Sequence, residues 1–263
     1  MRSFALAVFG LSLALAAHAR ADEWSKSYPI TGKPQLAIET ADANINVDTW
    51  EQNVIEAHVT TVNRKIGDGG ITIVEHQAGD VVSIEVRFPH ELVRFGSSTA
   101  RVGINVHMPR EGRIRLHTSD GSIHLSHLRG DMQIKTGDGY VQLDGVEGNL
   151  EAHTGDGDIH AAGRFDALDA TTGDGGIEAR ALAGSTLRSN WKLQSGDGNV
   201  TLQVPPSLAA EIVLHSGDGQ ITADVPLTTQ DKLGGSTVHG KMNGGGNLIT
   251  INTGDGSIRL EKL

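Results

Sequence analysis

Apolar and polar residues alternate along most of the chain, and the alternation keeps a fixed position relative to a recurring acidic phrase. The phrase is TSDGSI at 118–123, TGDGYV at 136–141, TGDGDI at 154–159 and TGDGGI at 172–177, so its aspartates are 18 residues apart. Apolar residues lie six and four positions before each aspartate and three and five positions after it. This alternation predicts two short, half-buried strands on either side of a bend.

The same pattern extends beyond the four regular copies. It recurs around Asp42, Asp197, Asp218 and Asp255. A strict period is typical of a solenoid, in which each repeat forms one coil stacked on the last. The sequence therefore predicts an all-β protein, a parallel β-solenoid of about 18-residue coils, with regular coils at about 109–263 and a less regular β-region at about 34–108.

Each predicted coil consists of two strands joined by the bend, and neighbouring coils pair as parallel strands about 4.8 Å apart. The glycines that flank the aspartate are expected to tolerate a positive φ there, and the aspartate to bond nearby backbone. Residues at one position of the repeat, such as Ile123, Val141, Ile159 and Ile177, then form an inward ladder. Full burial of each is worth roughly 1.5–3 kcal/mol.

The period lengthens on both sides of the regular stretch. Upstream, strands are predicted at 54–62, 81–88 and 101–108, and a polar lead-in is predicted at 22–33. Downstream, inserts rich in glycine and proline separate the later copies. If function is local, we expect it where the period breaks, at 88–100, 181–190 and 228–246.

The first residues predict an export signal. Arg2 precedes an apolar run at 4–17 and a small-x-small cleavage site, so residues 1–21 are predicted to be removed. The run has 14 residues, fewer than the roughly 20 that a membrane-spanning helix needs. The mature chain, 22–263, is predicted to be one β-solenoid domain without a transmembrane segment, in the periplasm, the cell envelope or outside the cell.

The net charge and the absence of cysteine limit the kinds of partner and metal site that the protein can have. Removal of the signal lowers Lys plus Arg from 22 to 20 against 32 acidic residues, so the formal net charge goes from −10 to −12. This acidity argues against nucleic acid and anionic membrane surfaces as partners. The chain has no cysteine, so disulfides and thiolate metal sites are excluded.

The repeats resemble a known family. Val106-His-Met-Pro109 precedes the first regular coil, Val204-Pro-Pro precedes a later strand, and GGGNLITINTGDGSI closes the chain at 244–258. Together with the TGDGxI phrases, over about 36–260, they are similar to the bacterial exported "putative adhesin" family, a β-solenoid domain of unknown function. The resemblance implies a repetitive all-β fold and export, and it transfers no catalytic or binding residues.

Two sets of side chains invite a metal interpretation. The aspartates Asp120, Asp138, Asp156 and Asp174 form a row, but one carboxylate per coil supplies too few oxygens for calcium. His117 and His153 share one position of the repeat, and His124 and His160 share another. Each histidine pair is two coils apart, near 10 Å, too far to share a zinc ion. No metal, cofactor or catalytic residue is predicted, and the ligand-binding residues stay unknown.

These observations favour a non-enzymatic protein of the cell envelope, an adhesin or scaffold that binds an unidentified envelope or surface ligand, protein or polysaccharide. One alternative is an enzyme acting on polysaccharide, because long β-helices can carry closely spaced carboxylates. The other alternative is a structural module stabilised by calcium.

Overall fold

The structure is a computed structural model, which describes residues 21–89, 101–229 and 236–263. The described residues form strands joined by turns and loops, and none of them is helical. The predicted signal peptide at 1–21 lies outside the described residues except for Ala21, and so does most of the predicted loop at 88–100. No helix in the described ranges is both long and apolar enough to cross a membrane.

The strands, in chain order, are β1 (Ala21–Pro29), β2 (Gln35–Thr40), β3 (Asn44–Trp50), β4 (Val54–Val62), β5 (Thr72–Ala78), β6 (Val81–Arg87), β7 (Arg101–Pro109), β8 (Glu111–His117), β9 (Ile123–Ser126), β10 (Arg129–Lys135), β11 (Val141–His153), β12 (Ile159–Thr172), β13 (Ile177–Ala181), β14 (Trp191–Ser195), β15 (Val200–Val204), β16 (Ala210–Ser216), β17 (Ile221–Asp224), β18 (Leu227–Thr229), β19 (Thr237–Met242), β20 (Leu248–Thr253) and β21 (Ile258–Lys262).

The strands stack into two layers that share one apolar core. The front sheet runs in the spatial order β5, β6, β2, β8, β10, β11, β12, β14, β20, β16, β19 and β18. The back sheet runs in the order β1, β4, β7, β3, β9, β11, β12, β13, β15, β21 and β17. Strands β11 and β12 contribute their first halves to the back sheet and their second halves to the front sheet.

The alternation of apolar residues sets the register of this stack. Val141 pairs with Ile123 on one side and Ile159 on the other, and Ile159 pairs with Ile177, all in parallel strands. These four side chains are buried, as are nearly all inward positions of the repeats. The exceptions are Ile221 and Ala223, which are half-buried because β17 ends the back sheet. The predicted all-β, solenoid-like architecture and its parallel pairing are confirmed.

The spatial order of the coils departs from chain order at both ends of the stack. The last strand pair, β20 and β21, lies between β14–β15 and β16–β17. The first repeat, β2 and β3, likewise lies between β6–β7 and β8–β9. Strand pairs from both ends of the sequence are thus held between neighbours on both sides.

Antiparallel strands close the two ends. β1 and β4 extend the back sheet beyond β7, β5 extends the front sheet beyond β6, and β19 and β18 extend it beyond β16. The predicted polar lead-in at 22–33 is therefore wrong over most of its length, because β1 occupies its first part. This edge strand has few apolar residues, yet Tyr28 is fully buried and Trp24 packs against the core.

Threonine and serine hydroxyls tie one bend to the next. Thr136 Oγ1 donates a hydrogen bond to the carbonyl oxygen of Gly121 in the preceding coil (2.9 Å) and accepts one from the amide of Gly139 (3.2 Å). The arrangement repeats at Thr154 and, with serine, at Ser195. These hydroxyls are buried, so each satisfies two backbone groups that water does not reach.

Removal of one such hydroxyl should lower the free energy of unfolding by more than the small size of the group suggests. We expect Thr136→Val to lower the free energy of unfolding by about 1–3 kcal/mol, because a buried carbonyl and a buried amide lose their partner while the volume hardly changes. Thr136→Ser, which keeps the hydroxyl, is the control and should cost less. Urea unfolding of both variants measures the difference, and a valine variant at least as stable as the serine variant would contradict the expectation.

The bend glycines correct another prediction, because their φ angles are not in the positive region. What they require is space. A Cβ added at Gly121, Gly139 or Gly157 would lie 1.9–2.0 Å from a carbonyl oxygen of the preceding coil. Stacked bends approach so closely that no side chain fits between them.

Candidate functional site

The aspartate row lies along one edge of the stack and has few partners. All eight aspartates of the repeats are exposed, and among the described residues an ion pair within 4.0 Å is formed by Asp42 alone, 3.9 Å from Arg64. Within the described ranges no hydrogen bond reaches the carboxylates of Asp120, Asp138, Asp156 or Asp174. No group of three or more histidines and carboxylates placed to hold a metal ion occurs in the part of the chain that the structure describes.

An isolated member of this row should be dispensable for stability. Neighbouring carboxylates about 4.8 Å apart repel by about 0.9 kcal/mol in water. We therefore expect Asp138→Asn to change the free energy of unfolding by no more than about 0.5 kcal/mol, with any gain confined to low salt. Urea unfolding at low and high sodium chloride measures this, and a loss above 1 kcal/mol would contradict it.

The histidine pairs lie where the repeat predicted them. His117 and His153 both pair with Lys135, which lies between them on the front sheet. His124 and His160 flank Gln142 on the back sheet in the same way. Each pair is thus separated by one intervening strand.

A shallow groove of about 580 Å³ crosses the outer surface of the front sheet. It runs over β8, β10, β11 and β12, and the loop at 182–190 borders it. Its polar lining comprises Arg113, Arg115, Asp131, Gln133, Asn149, Glu151, Asp169, Ser189 and Asn190. The strands fix these side chains at positions that alternate with the buried core residues.

Two hydrogen-bonded rows cross the strands on the groove floor. In the first row, the Asp131 carboxylate accepts one hydrogen bond from Arg113 (3.0 Å) and one from Asn149 (2.8 Å). The hydrogen bond from Asn149 and, secondarily, the Arg113 guanidinium hold the pKa of Asp131 below its usual value.

In the second row, Arg115 Nε donates to Gln133 Oε1 (3.0 Å), and Gln133 Nε2 donates to Glu151 Oε2 (3.0 Å). The bond from Gln133 and, secondarily, the bond with His153 lower the pKa of Glu151. Its carboxylate is therefore held in the ionised form.

Two charged groups of the groove form no ion pair within 4.0 Å among the described residues, and we call them uncommitted in this sense. Arg115 pairs with Ala37 on its other side, and among the described residues no carboxylate lies within 4.0 Å of its guanidinium. At longer range its charge contributes to the lowered pKa of Glu151. Asp169 accepts a long hydrogen bond from Thr171 (3.5 Å), and its in-register neighbour on β14 is Lys192. No cation of the described ranges lies within 4.0 Å of its carboxylate. A cation and an anion are thus available at opposite ends of one groove.

The loop that borders the groove is anchored at several points. Thr186 donates its amide to the carbonyl of Phe165 (2.9 Å), and Arg188 lies 3.4 Å from Asp166. Asn190 Oδ1 accepts the amide of Leu248 (3.0 Å). Function was expected at three period breaks, and one of them, 181–190, contributes Ser189 and Asn190 to the groove.

The groove residues themselves were not predicted. Arg115, Gln133, Glu151 and Asp169 each lie five positions before a row aspartate. The repeat therefore contained the signal that they form a row across neighbouring strands. It did not contain the information that Arg115 and Asp169 form no ion pair within 4.0 Å among the described residues, which depends on the side-chain conformations.

Two layers of stacked parallel strands, tied by polar bends and bearing a polar groove on one face, define an all-β, solenoid-like class of protein. The family model Toastrack DUF4097 matches residues 26–261, and the chain belongs to this family. The resemblance to a β-solenoid family of unknown function is confirmed. No curated protein matches the chain.

Several crystal structures are similar in outline. A "putative adhesin" from Bacteroides fragilis has a TM-score of 0.49 and 12% identity, covering 92% of this chain and 97% of that one. A "putative cell adhesion protein" from Clostridium sporogenes has a TM-score of 0.42 and 14% identity, covering 93% and 100%. A "putative lipid binding protein" from Parabacteroides distasonis has a TM-score of 0.41 and 13% identity, covering 91% and 96%. Similarity at this level says nothing about the ligand of this chain.

Proposed function

We propose that the chain is a non-enzymatic binding module of the bacterial envelope and that the front-sheet groove holds its ligand. The groove supports this proposal because it combines ordered hydrogen-bonding rows with uncommitted charges on rigid strands. Groups that strands hold in place lose little conformational freedom when a ligand binds. The export signal predicted from the sequence supports the location.

The pKa directions of Glu151 and Asp131 argue against a general-acid role for either carboxylate. A general acid in glycoside cleavage needs a raised pKa. The pKa of Glu151 and that of Asp131 are instead lowered by their hydrogen bonds. The groove is also shallow and open, whereas catalytic sites strengthen their electrostatics by excluding water.

Cosedimentation of the purified chain 22–263 with isolated envelope fractions tests the proposal. Arg115→Ala should reduce the bound fraction several-fold, because it removes the uncommitted cation of the groove. The back sheet offers a matched control in Arg180, whose Nε donates to Gln203 Oε1 at 2.8 Å as Arg115 Nε does to Gln133. Arg180→Ala should leave binding unchanged.

Equal binding by the two variants would overturn the groove as the ligand site. The two alternatives make different predictions. A polysaccharide-degrading enzyme would release reducing ends from the same fractions and lose this activity in Glu151→Gln. A calcium-stabilised module would melt at a lower temperature in chelator.

A further inference from the structure

We propose that the groove binds an extended peptide segment, with an acidic residue at Arg115 and a basic residue at Asp169. This inference rests on the proposed function and specifies its ligand. It follows from the charges at the two ends of the groove and from the distance between them.

Arg115 is prepared to bind a carboxylate. The bond from its Nε to Gln133 fixes the side chain, and Gln133 is in turn fixed by Glu151. The two terminal nitrogens of the guanidinium have no partner among the described residues. A guanidinium in this state can form two parallel hydrogen bonds to one carboxylate.

The other end of the groove accepts a cation. Asp169 pairs in register with Glu151 on β11 and with Lys192 on β14, and the small side chain of Ala167 also lines this end of the groove. Glu151 already accepts bonds from Gln133 and His153, so Asp169 is the carboxylate with free oxygens. A lysine ammonium or an arginine guanidinium would complete its hydrogen bonds.

The distance between the two groups indicates the spacing within the ligand. Arg115 and Asp169 lie three strand steps apart, from β8 through β10 and β11 to β12, which is about 14 Å at 4.8 Å per step. An extended peptide rises about 3.4 Å per residue, so the acidic and basic residues should be about four positions apart.

The lining favours a peptide over a neutral glycan. No aromatic side chain is among the described residues that line the groove, so the stacking surface that aromatic rings provide is missing. The groups at its two ends, the exposed Arg115 and the half-buried Asp169, have charges of opposite sign. Such a pair of groups selects ligands by the sign and the spacing of their charges. In peptides, both properties vary with the sequence.

Calorimetric titration of the purified chain 22–263 with short capped peptides tests the inference. The probes are EGSGK and KGSGE, with charges four positions apart in either direction, and GSEKG, which has the same composition with adjacent charges. Maltohexaose is the neutral glycan probe. We expect one of the spaced peptides to bind at least about tenfold more tightly than GSEKG and than maltohexaose, because only it reaches both ends.

Charge exchange adds a second measurement. The double variant R115E/D169K should prefer the spaced peptide of opposite direction, whereas R180A should keep the original preference. Equal affinity for spaced and adjacent charges, or tighter binding of maltohexaose, would overturn the peptide assignment. If R115A still reduces binding to envelope fractions several-fold in that case, the groove remains the binding site and only the ligand class is wrong.

Discussion

Gly139→Ala is expected to lower the free energy of unfolding by at least about 3 kcal/mol or to prevent folding. The new Cβ would lie 1.9 Å from the carbonyl oxygen of Gly121 and 2.7 Å from Thr136 Oγ1. Neither contact can be relieved by rotating a flexible side chain. The coils would have to separate, and separation would break the hydroxyl ladder and open the core on both sides of the bend.

Gly240→Ala is the matched control. The nearest atom to a Cβ at Gly240 is Leu227 Cβ at 3.5 Å, an ordinary contact, and the φ of Gly240 is not positive. This variant should stay within about 1 kcal/mol of the parent. Urea unfolding followed by circular dichroism compares the two. Equal stability would mean that the stacked bends can move apart at little cost.

Alternation with a fixed phase predicted the coils well, because each buried position has the same neighbours in every coil. The ladder from Ile123 to Ile177 follows from the period alone. The role of the bend glycines was harder to predict. Glycine is favoured where φ is positive, and it is also favoured where another backbone approaches too closely for a side chain. The sequence does not distinguish these two roles. In the structure, the carbonyl oxygen of Gly121 lies where it would clash with a Cβ at Gly139, which shows that close packing is the reason.

The order of the terminal coils could not be predicted from the sequence. All copies carry the same apolar pattern, so β20–β21 could pair equally well with several neighbours on that pattern alone. The antiparallel end strands decide the outcome, since β19 covers the far side of β16 and leaves its near side to β20. In the same way, the pairing of the groove charges depends on the neighbouring strands, which place Ala37 and Gln133 beside Arg115, and Glu151 and Lys192 beside Asp169.

Trp191→Ala is expected to have the second large effect, a loss of about 3–5 kcal/mol. Trp191 lies six positions before Asp197, an inward position of the repeat, and it is fully buried. It meets the ring of Phe165 edge to face at 6.2 Å, and its Nε1 donates to the carbonyl of Asp166 at 3.4 Å. It lies where the interval between row aspartates grows from 18 to 23 residues.

Trp191→Ala should also weaken ligand binding in the groove. Phe165 and Asp166, which Trp191 contacts, also anchor the loop that borders it, through Thr186 and Arg188. Trp50→Ala is the control: Trp50 is only partly buried and stacks on His107 at 5.2 Å, so about 1–2 kcal/mol should be lost. If Trp191→Ala unfolds at lower urea yet binds envelope fractions as the parent does, the loop holds its position without the core beneath it. If it loses both stability and binding while Trp50→Ala keeps binding, the core of the enlarged coil positions the wall of the groove.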